Sequence, residues 1–562
     1  MNEYKDAVIE CVPNFSEGCD HEVIKQITDE IEKISGVQLL DVDPGKATNR
    51  TVVTFVGNPY SVVDAAFLAI KKAGELIDMR HHKGEHPRMG ATDVCPLIPI
   101  SGITAEDTIQ FANMLAKRVG EELNIPVYLY EYAAKSDHRR NLADIRAGEY
   151  EGLAAKIKLA EWKPDYGQAE FNERSGATVI GVRDFLVAYN VNLNTTSTRR
   201  ANAVAFDIRE KGRQLTDVNG KVVKDEAGNV VWQPGLLKSV KAIGWYIEEY
   251  GIAQISINLT NINITSMHIA FEAACERANA RGMRVTGSEL VGLVPLNAML
   301  EAGKYFLRKQ QRSVGVSDAE LIKIAVRSLG LDELTPFDPQ KKIIEYRMQQ
   351  PGTKKLVDMD LVAFAQETAS ESPAPGGGSI AAYCGALSAA LATMVANLSS
   401  HKKGWDERWE EFSEYAEKGQ AIIKRNLQLV DEDTQAFNAI MSAFGLPKAN
   451  EAEKIARKSA IDAATIEAIK VPFKTMELAM EAFQLSKTMA EIGNPNSVSD
   501  AGVGALCAVT ALKGAYMNVK INAQSLKEHP VVADLVARAE DMLAKINLLE
   551  PEVFQIVLGK LK

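Results

Sequence analysis

Cysteine is scarce in this chain. Six residues in 562 (Cys11, Cys19, Cys95, Cys275, Cys384 and Cys507) are scattered without a C-x-x-C pair. That spacing excludes a disulfide scaffold, and because most of the six sit in apolar runs they read as reduced core residues of a cytoplasmic protein. A basic excess is missing too. The net charge of −10 argues against nucleic acid as the main partner and leaves Arg139-Arg140, Arg199-Arg200 and Lys341-Lys342 as ordinary solvated surface. Residues 1–15 lack the basic and apolar regions of a secretory signal. Long hydrophobic runs are nearly absent: residues 380–398 approach membrane-span length, but Ala, Gly, Ser and Thr with an Asn make a close-packed buried helix, so no membrane span is expected. Hydrophobic residues at 46% and charged residues at 25% describe a soluble globular chain, long enough for three or four domains.

Histidine is also rare, and its distribution is uneven. Of eight histidines, three fall within six residues: His81, His82 and His86. Gly84 and Gly90 bracket a turn, and Pro87 biases His86 toward an extended backbone. An imidazole beside the Glu85 carboxylate and the Arg88 guanidinium suits proton shuttling near neutral pH. His82-Lys83-Gly84-Glu85-His86 also fits the zinc-hydrolase pattern H-x-x-E-H, which needs both histidines on one face of a continuous helix. Gly84 costs such a helix about 1 kcal/mol and Pro87 disfavours helical geometry at His86, so no metal is expected there.

The first half of the chain alternates short β-rich runs with amphipathic helices. Strands are expected at 7–12, 37–42, 51–56, 94–100 and 126–132, with helices at 21–34 and 60–77 and a turn at Asp43-Pro44-Gly45. Thr104-x-x-Asp107 reads as a capping box opening a further helix. The order recurs later: strands at 185–193, 241–249, 252–259 and 283–286, helices at 195–211 and 267–280. Both stretches read βαββαβ, which predicts two α/β, ferredoxin-like subdomains, at 1–181 and 182–330. Val218-Asn219-Gly220-Lys221 reads as a hairpin on a surface excursion.

After Leu331 the texture changes. Prolines at 336, 339 and 351 mark a linker over 331–356, and from 357 to 562 long helical periodicity predicts an all-α bundle. Helices are expected at 405–444, 450–470, 476–491, 500–522 and 531–546, with Asp358 capping the first helix of the bundle. Pro373-Ala374-Pro375-Gly376-Gly377-Gly378-Ser379 runs straight into the Ala-rich helix. Its glycines suit either an anion at a helix N-terminus with close approach of a ligand or another backbone, or a flexible linker. Asp431-Glu432-Asp433 follows apolar Leu429-Val430. A solvated acidic face is its plainer reading; a carboxyl turned into an apolar groove, with a raised pKa, is the alternative.

These motifs carry a resemblance. Glu10-Cys11-Val12-Pro13-Asn14-Phe15-Ser16-Glu17-Gly18, Leu40-Asp41-Val42-Asp43, Thr48-Asn49-Arg50-Thr51 and residues 82–90 resemble glutamate formiminotransferase. Ala374-Pro375-Gly376-Gly377-Gly378-Ser379, Val430-Asp431-Glu432-Asp433 and Gly514-Ala515-Tyr516-Met517-Asn518-Val519 are similar to formimidoyltetrahydrofolate cyclodeaminase. The resemblance implies a bifunctional enzyme of histidine breakdown. It would move a formimino group from N-formimino-L-glutamate to tetrahydrofolate, then close the product to 5,10-methenyltetrahydrofolate with release of ammonia. It places the catalytic histidine at His86, its supporting carboxylate at Asp43 and the cyclodeaminase acid at Asp433. Folate contacts fall on Arg88, on Gly167, Gln168, Ala169, Glu170, Phe171, Asn172, Glu173, Arg174, Ser175 and Gly176, and on Gly376, Gly377 and Gly378. The implied co-substrate is polyglutamylated tetrahydrofolate, without a metal, in a cytoplasmic homo-oligomer with helical-domain contacts. The rivals are a non-catalytic folate-binding scaffold and, further off, the zinc hydrolase.

Overall fold

The computed structural model describes residues 4, 7–46, 49–84, 87–218, 220–348, 355–372 and 374–561. His86 lies outside them, as do Glu85, Thr48, Asn219 and Pro373. The chain forms two compact units, Met1–Ala298 with Leu329–Gln349, and Met299–Ser328 with Gln350–Lys562.

The first unit opens with β1 (Val8–Cys11), β2 (Asn14–Phe15), α1 (His21–Glu32), β3 (Val37–Gly45), β4 (Arg50–Gly57), α2 (Pro59–Leu76), β5 (Thr92–Ser101), α3 (Ala105–Glu122) and β6 (Val127–Glu131). Two short helices, α4 (Leu142–Arg146) and α5 (Glu149–Lys156), precede β7 (Thr178–Val182). β1 pairs antiparallel with both β4 and β5, β3 pairs with β4, and β7 and β6 extend the sheet in parallel beyond β5. Alternation decides the faces: Ile9, Cys11, Val53, Phe55, Cys95 and Leu97 turn together toward the apolar sides of α1, α2 and α3. The helices start where the sequence supplies acceptors, with Asp20 taking the Glu22 and Val23 N–H groups and Thr104 taking that of Asp107 at 3.1 Å.

One expected turn is strand. β3 continues through Asp43, Pro44 and Gly45, which face Val52, Thr51 and Arg50 of β4. Among the described residues β3 pairs with β4 alone, so it is an edge strand, where Pro44 forfeits no ladder hydrogen bond.

The second sheet is built from β8 (Val187–Leu193), α6 (Thr198–Ile208), a small hairpin of β9 (Arg213–Gln214) and β10 (Trp232–Gln233), then β11 (Val240–Ile247), β12 (Ile252–Leu259), α7 (Met267–Asn279) and β13 (Val285–Val291). Its order is β11-β12-β8-β13, all antiparallel. In both sheets the first strand of the run lies between the third and the fourth.

The boundary between units differs from a plain cut at a linker. α8 (Leu296–Lys309) and α9 (Asp318–Leu329) follow β13, and residues Met299–Ser328 count with the helical unit. The α8–α9 connection is tied there by polar contacts: Val314 N–H donates to Ser413 Oγ at 3.0 Å and Asn397 Nδ2 donates to Gly315 O at 2.9 Å. Within 331–356, α10 (Pro339–Lys342) and α11 (Ile344–Arg347) form, and Ile343 and Ile344 are buried in the first unit, where Ile343 bridges Val294.

The helical unit continues with α12 (Leu361–Thr368), α13 (Gly377–Ser400), α14 (Trp409–Phe444), α15 (Glu451–Ile492), α16 (Val498–Asn522) and α17 (Pro530–Lys560). Asp360, not Asp358, caps α12, accepting the Ala363 N–H at 2.8 Å; Asp358 ends the preceding 3-10 turn. The two helices expected between 450 and 491 are one, with Pro472 inside α15. A mid-helix proline costs about 3 kcal/mol. Ile469, Phe473 and Met476 buried around it offset that cost through packing. α17 likewise runs on through Pro551.

α13 and α14 approach closely because glycine on one faces a polar side chain on the other. A methyl on Gly385 would stand 2.7 Å from Asn426 Oδ1, one on Gly378 would stand 2.6 Å from Asp433 Cγ, and Gly419 is overlain by Thr393. The seven-residue steps 378 to 385 and 433 to 426 are a single antiparallel seam. α13 and the stretch Pro495–Leu526 are apolar and long enough for a membrane span, but 61% and 50% of their apolar windows are buried inside the protein, as core helices are. Ala381, Gly385 and Ala389 are among the buried residues of α13. They pack against their own unit, so these small residues are not free to supply the helical-domain contacts expected of a homo-oligomer.

Candidate functional sites

In the first unit, the turn between β3 and β4 and the histidine loop are stitched together. Asn49 Nδ2 donates to Lys83 O at 2.8 Å, and His82 Nε2 donates to Asn49 O at 2.9 Å. Asn49 Oδ1 also accepts the Gly18 N–H at 3.0 Å, so three motifs of the sequence meet here. His82 Nδ1 accepts from Arg88 Nε at 3.3 Å. Both ring nitrogens of His82 are therefore committed, and residues 82–84 are not helical, so this ring offers no lone pair to a metal.

Arg88 is buried, and its guanidinium spans two carboxylates: Nη2 donates to Glu151 Oε1 at 2.7 Å and Nη1 to Glu149 Oε2 at 3.0 Å. The Glu151 hydrogen bond pushes the Arg88 pKa up and holds the Glu151 carboxyl below its usual range. Lys83, Gly84, Arg88, Gly148, Glu149 and Glu151 line an open pocket of about 410 Å³. Deeper, the fully buried Asp93 accepts the Met89 N–H at 2.9 Å and pairs with Arg146. Arg50, at the start of β4, feels Asp93 and the exposed Asp43 as favourable charges and Arg146 as an unfavourable one. Asp43 and Arg50 thus lie beside the histidine loop at one end of the sheet. The open, charged pocket can hold a charged substrate.

The span from Gly167 to Gly176 divides by role. Gly176, at φ +68°, bridges Gly90, and a methyl on it would stand 2.7 Å from the Gly90 Cα. Ser175 and Arg174 are held by backbone, Ser175 O accepting the Ala91 N–H at 2.8 Å and Arg174 O accepting that of Met79 at 2.9 Å. Asn172 Oδ1 accepts the Ser175 N–H at 2.9 Å, and Phe171 packs on Tyr150. Gly167 packs on Gly120, while Gln168, Ala169, Glu170 and Glu173 are exposed.

In the helical unit, only one carboxyl of Asp431-Glu432-Asp433 reaches the glycine turn. Asp431 accepts the Leu356 N–H at 2.7 Å, and Glu432 pairs with Arg425. Asp433 faces the N-terminus of α13, where Gly378 leaves room for its carboxylate and Ser379 Oγ donates to Oδ2 at 3.1 Å. Ser379 Oγ also lies 2.9 Å from Val430 O, locking that hydroxyl. Burial pushes the Asp433 pKa up, opposed by hydrogen bonds from the Ser379 side chain and backbone. A carboxyl whose pKa is raised is suited to act as an acid. Gly376 caps α13 without a side chain, and of the first-turn amides that of Ser379 is turned to Asp433. Tyr383, one turn on, stacks at a tilt on Phe364, beside an apolar pocket of about 70 Å³ that Val430 and Leu427 also line. The spacing of the acidic triplet could not say which carboxyl turned inward. Asn518, quoted above only as part of a motif, borders the same turn: a methyl on Gly377 would stand 3.4 Å from its Nδ2.

Family models match the chain in three consecutive stretches. Residues 8–183 match the formiminotransferase domain, N-terminal subdomain, residues 188–349 the formiminotransferase domain, and residues 360–541 formiminotransferase-cyclodeaminase. The chain belongs to the formiminotransferase-cyclodeaminase family. It is 43% identical over 522 residues to formimidoyltransferase-cyclodeaminase of Rattus norvegicus, with 93% of each chain covered. Glutamate formimidoyltransferase of Streptococcus pyogenes serotype M1 is 40% identical over 301 residues, 54% of this chain and 93% of that one. Methenyltetrahydrofolate cyclohydrolase of Methylorubrum extorquens is 36% identical over 197 residues, 35% of this chain and 95% of that one. Membership in this family points to a folate as substrate.

Proposed function

We propose that this chain is a bifunctional folate enzyme of histidine breakdown. The α/β unit transfers the formimino group from N-formimino-L-glutamate to N5 of tetrahydrofolate. The helical unit closes 5-formiminotetrahydrofolate to 5,10-methenyltetrahydrofolate and releases ammonia. The observation that carries this reading is family similarity over nearly the whole of both chains. The Asp433 carboxyl, its pKa raised by burial where α13 begins, suits its second half.

Transfer passes through a tetrahedral carbon carrying both N5 and the glutamate nitrogen. N5 loses a proton and the departing amine gains one. His86 does both, with Asp43 holding its tautomer and stabilising the imidazolium. Arg88, held by Glu149 and Glu151, braces the histidine loop and borders the substrate pocket. Exposed Gln168 to Glu170, with Phe171 to Ser175 beside them, form the folate-facing stretch between Gly167 and Gly176. In the helical unit N10 attacks the formimino carbon, Asp433 protonates the leaving nitrogen, and Gly376 to Gly378 let the folate approach the first turn of α13.

Several finer points belong to the same reading. The two α/β runs are ferredoxin-like subdomains, at 1–181 and from 182 up to the stretch Met299–Ser328 that joins the helical unit, and the folate is polyglutamylated. No metal takes part, and the protein works in the cytoplasm. It is a homo-oligomer through the helical unit, where Leu387, Met394 and Leu398 of α13 and Val503 and Leu506 of α16 expose 38–51% of their surface. Light scattering should give more than one chain per particle.

The deciding experiment supplies N-formimino-L-glutamate and tetrahydrofolate to purified protein and follows methenyl absorbance and ammonia together. Both should rise in equal amounts. Folate binding without turnover would establish the non-catalytic scaffold instead.

A further inference from the structure

Asp433 reaches the start of α13 from α14; Asn518 reaches it from α16 on the other side. Gly377 and Gly378 are consecutive residues in the first turn of α13, and each is faced by one of the two. Asn518 Nδ2 donates to Gly514 O at 2.9 Å, one helical turn back, which fixes the plane of the amide. Oδ1 is left as the acceptor, and it takes no hydrogen bond among the described residues. Gly514 packs against α13 in its turn, a methyl on it standing 3.3 Å from the Ala381 Cβ. The position of Asn518 is therefore set by the packing of two core helices. Asn518 is only half-buried, so its Oδ1 stays within reach of a ligand.

We propose that Asn518 binds the formimino group during cyclisation and turns its nitrogen toward Asp433. This rests on the reading of the helical unit given above. As N10 attacks, its N–H bond breaks and that proton passes to the formimino nitrogen, so the former formimino carbon carries N5, N10 and an NH2 group. The bond from that carbon to the amine breaks, its electron pair stays with the nitrogen, and the Asp433 carboxyl supplies the proton that makes ammonia. N5 and N10 keep the carbon as the methenyl bridge. The amine can take that proton only if its lone pair, not an N–H, faces Asp433. An acceptor on the opposite side of the turn captures an N–H and sets that rotation. Asn518 Oδ1 is such an acceptor. Being neutral, it adds no positive charge that would strip the proton from that carboxyl. Asp431 and Glu432 do not compete, being tied to Leu356 and Arg425.

The test uses the full chain, supplied 5-formiminotetrahydrofolate and two variants, Asn518→Leu and Asn518→Asp. Asn518→Leu should lower kcat for cyclisation roughly 10- to 100-fold, the scale of a misoriented reacting group, while KM moves much less. Transfer from formiminoglutamate should continue at the wild-type rate. Asn518→Asp keeps the shape and the acceptor but sets a second carboxylate by Asp433. Like charge raises a carboxyl pKa, so the alkaline limb of the kcat–pH profile should move to higher pH. A merely structural asparagine would not lower kcat selectively over KM. Wild-type kcat in Asn518→Leu overturns the proposal, and so does an unmoved alkaline limb in Asn518→Asp, even if Asn518→Leu fails to fold. A wild-type chain unable to cyclise the supplied intermediate would instead overturn the assigned activity of the helical unit.

Discussion

Gly378 of α13 and Asp433 of α14 share one space: a methyl on the glycine would stand 2.6 Å from the Cγ of the aspartate. The contact joins the glycine turn to the acidic triplet across 55 residues, 433 − 378, and holds the buried carboxyl at the start of a helix. Gly378→Ala must push Asp433 out of place or separate α13 from α14. Overpacking of this kind costs about 1–3 kcal/mol. Cyclisation of supplied 5-formiminotetrahydrofolate should fall at least roughly tenfold, the lower part of what a displaced acid forfeits, while transfer is unchanged. Initial rates of both reactions on one preparation check this.

The two activities should separate by single substitutions. His86→Ala should abolish transfer and leave cyclisation of supplied intermediate intact. Asp433→Asn keeps the shape of the side chain but donates no acid proton. It should release glutamate normally and accumulate the formimino compound. Acid–base groups contribute about 10²–10⁴-fold, so each loss stands out against the unaffected partner activity. Joint loss of both activities in folded His86→Ala would refute two independent sites.

Glu10 is 4% exposed on β1, and burial pushes its pKa up to about 7, opposed by the Arg183 charge. The folded chain therefore keeps a proton that the unfolded chain releases near pH 4.5. Between these values the folded state binds more protons, so stability falls as pH rises and levels off above about 7. Glu10→Gln removes that dependence without changing shape. Relative to wild type it should gain up to about 3 kcal/mol at pH 8 and almost nothing at pH 4, since each pKa unit is worth about 1.4 kcal/mol. Urea unfolding of the α/β unit at the two pH values reads the difference, and an equal effect at both would contradict it.

Arg88→Lys tests the brace on the histidine loop. Lysine keeps the charge but cannot reach Glu149, Glu151 and His82 together, because that needs the planar fork of a guanidinium. Transfer should drop by about tenfold or more, the equivalent of roughly 1.4 kcal/mol, with cyclisation as the internal control. Unaltered transfer would show that the Arg88 contacts serve the fold alone.

Much of this was legible in the sequence, because period-two and period-3.6 patterns act between near neighbours. They determined the two β-α-β-β-α-β runs, the helical character of residues 357–562 and the Thr104 cap. The motifs around His86 and Asp433 sufficed to indicate the family. Tertiary structure decided what depends on distant partners. Pro44 sits inside β3 because that strand is at an edge, and α15 passes Pro472 because buried Ile469 and Phe473 hold it. Residues Met299–Ser328 join the helical unit through contacts at Ser413 and Asn397. Above all, three adjacent acidic residues look alike in sequence. Only the crossing of α13 with α14 at Gly378 selects Asp433, and only α16 brings Asn518 beside the same turn, since a side chain's chemistry depends on what is folded against it.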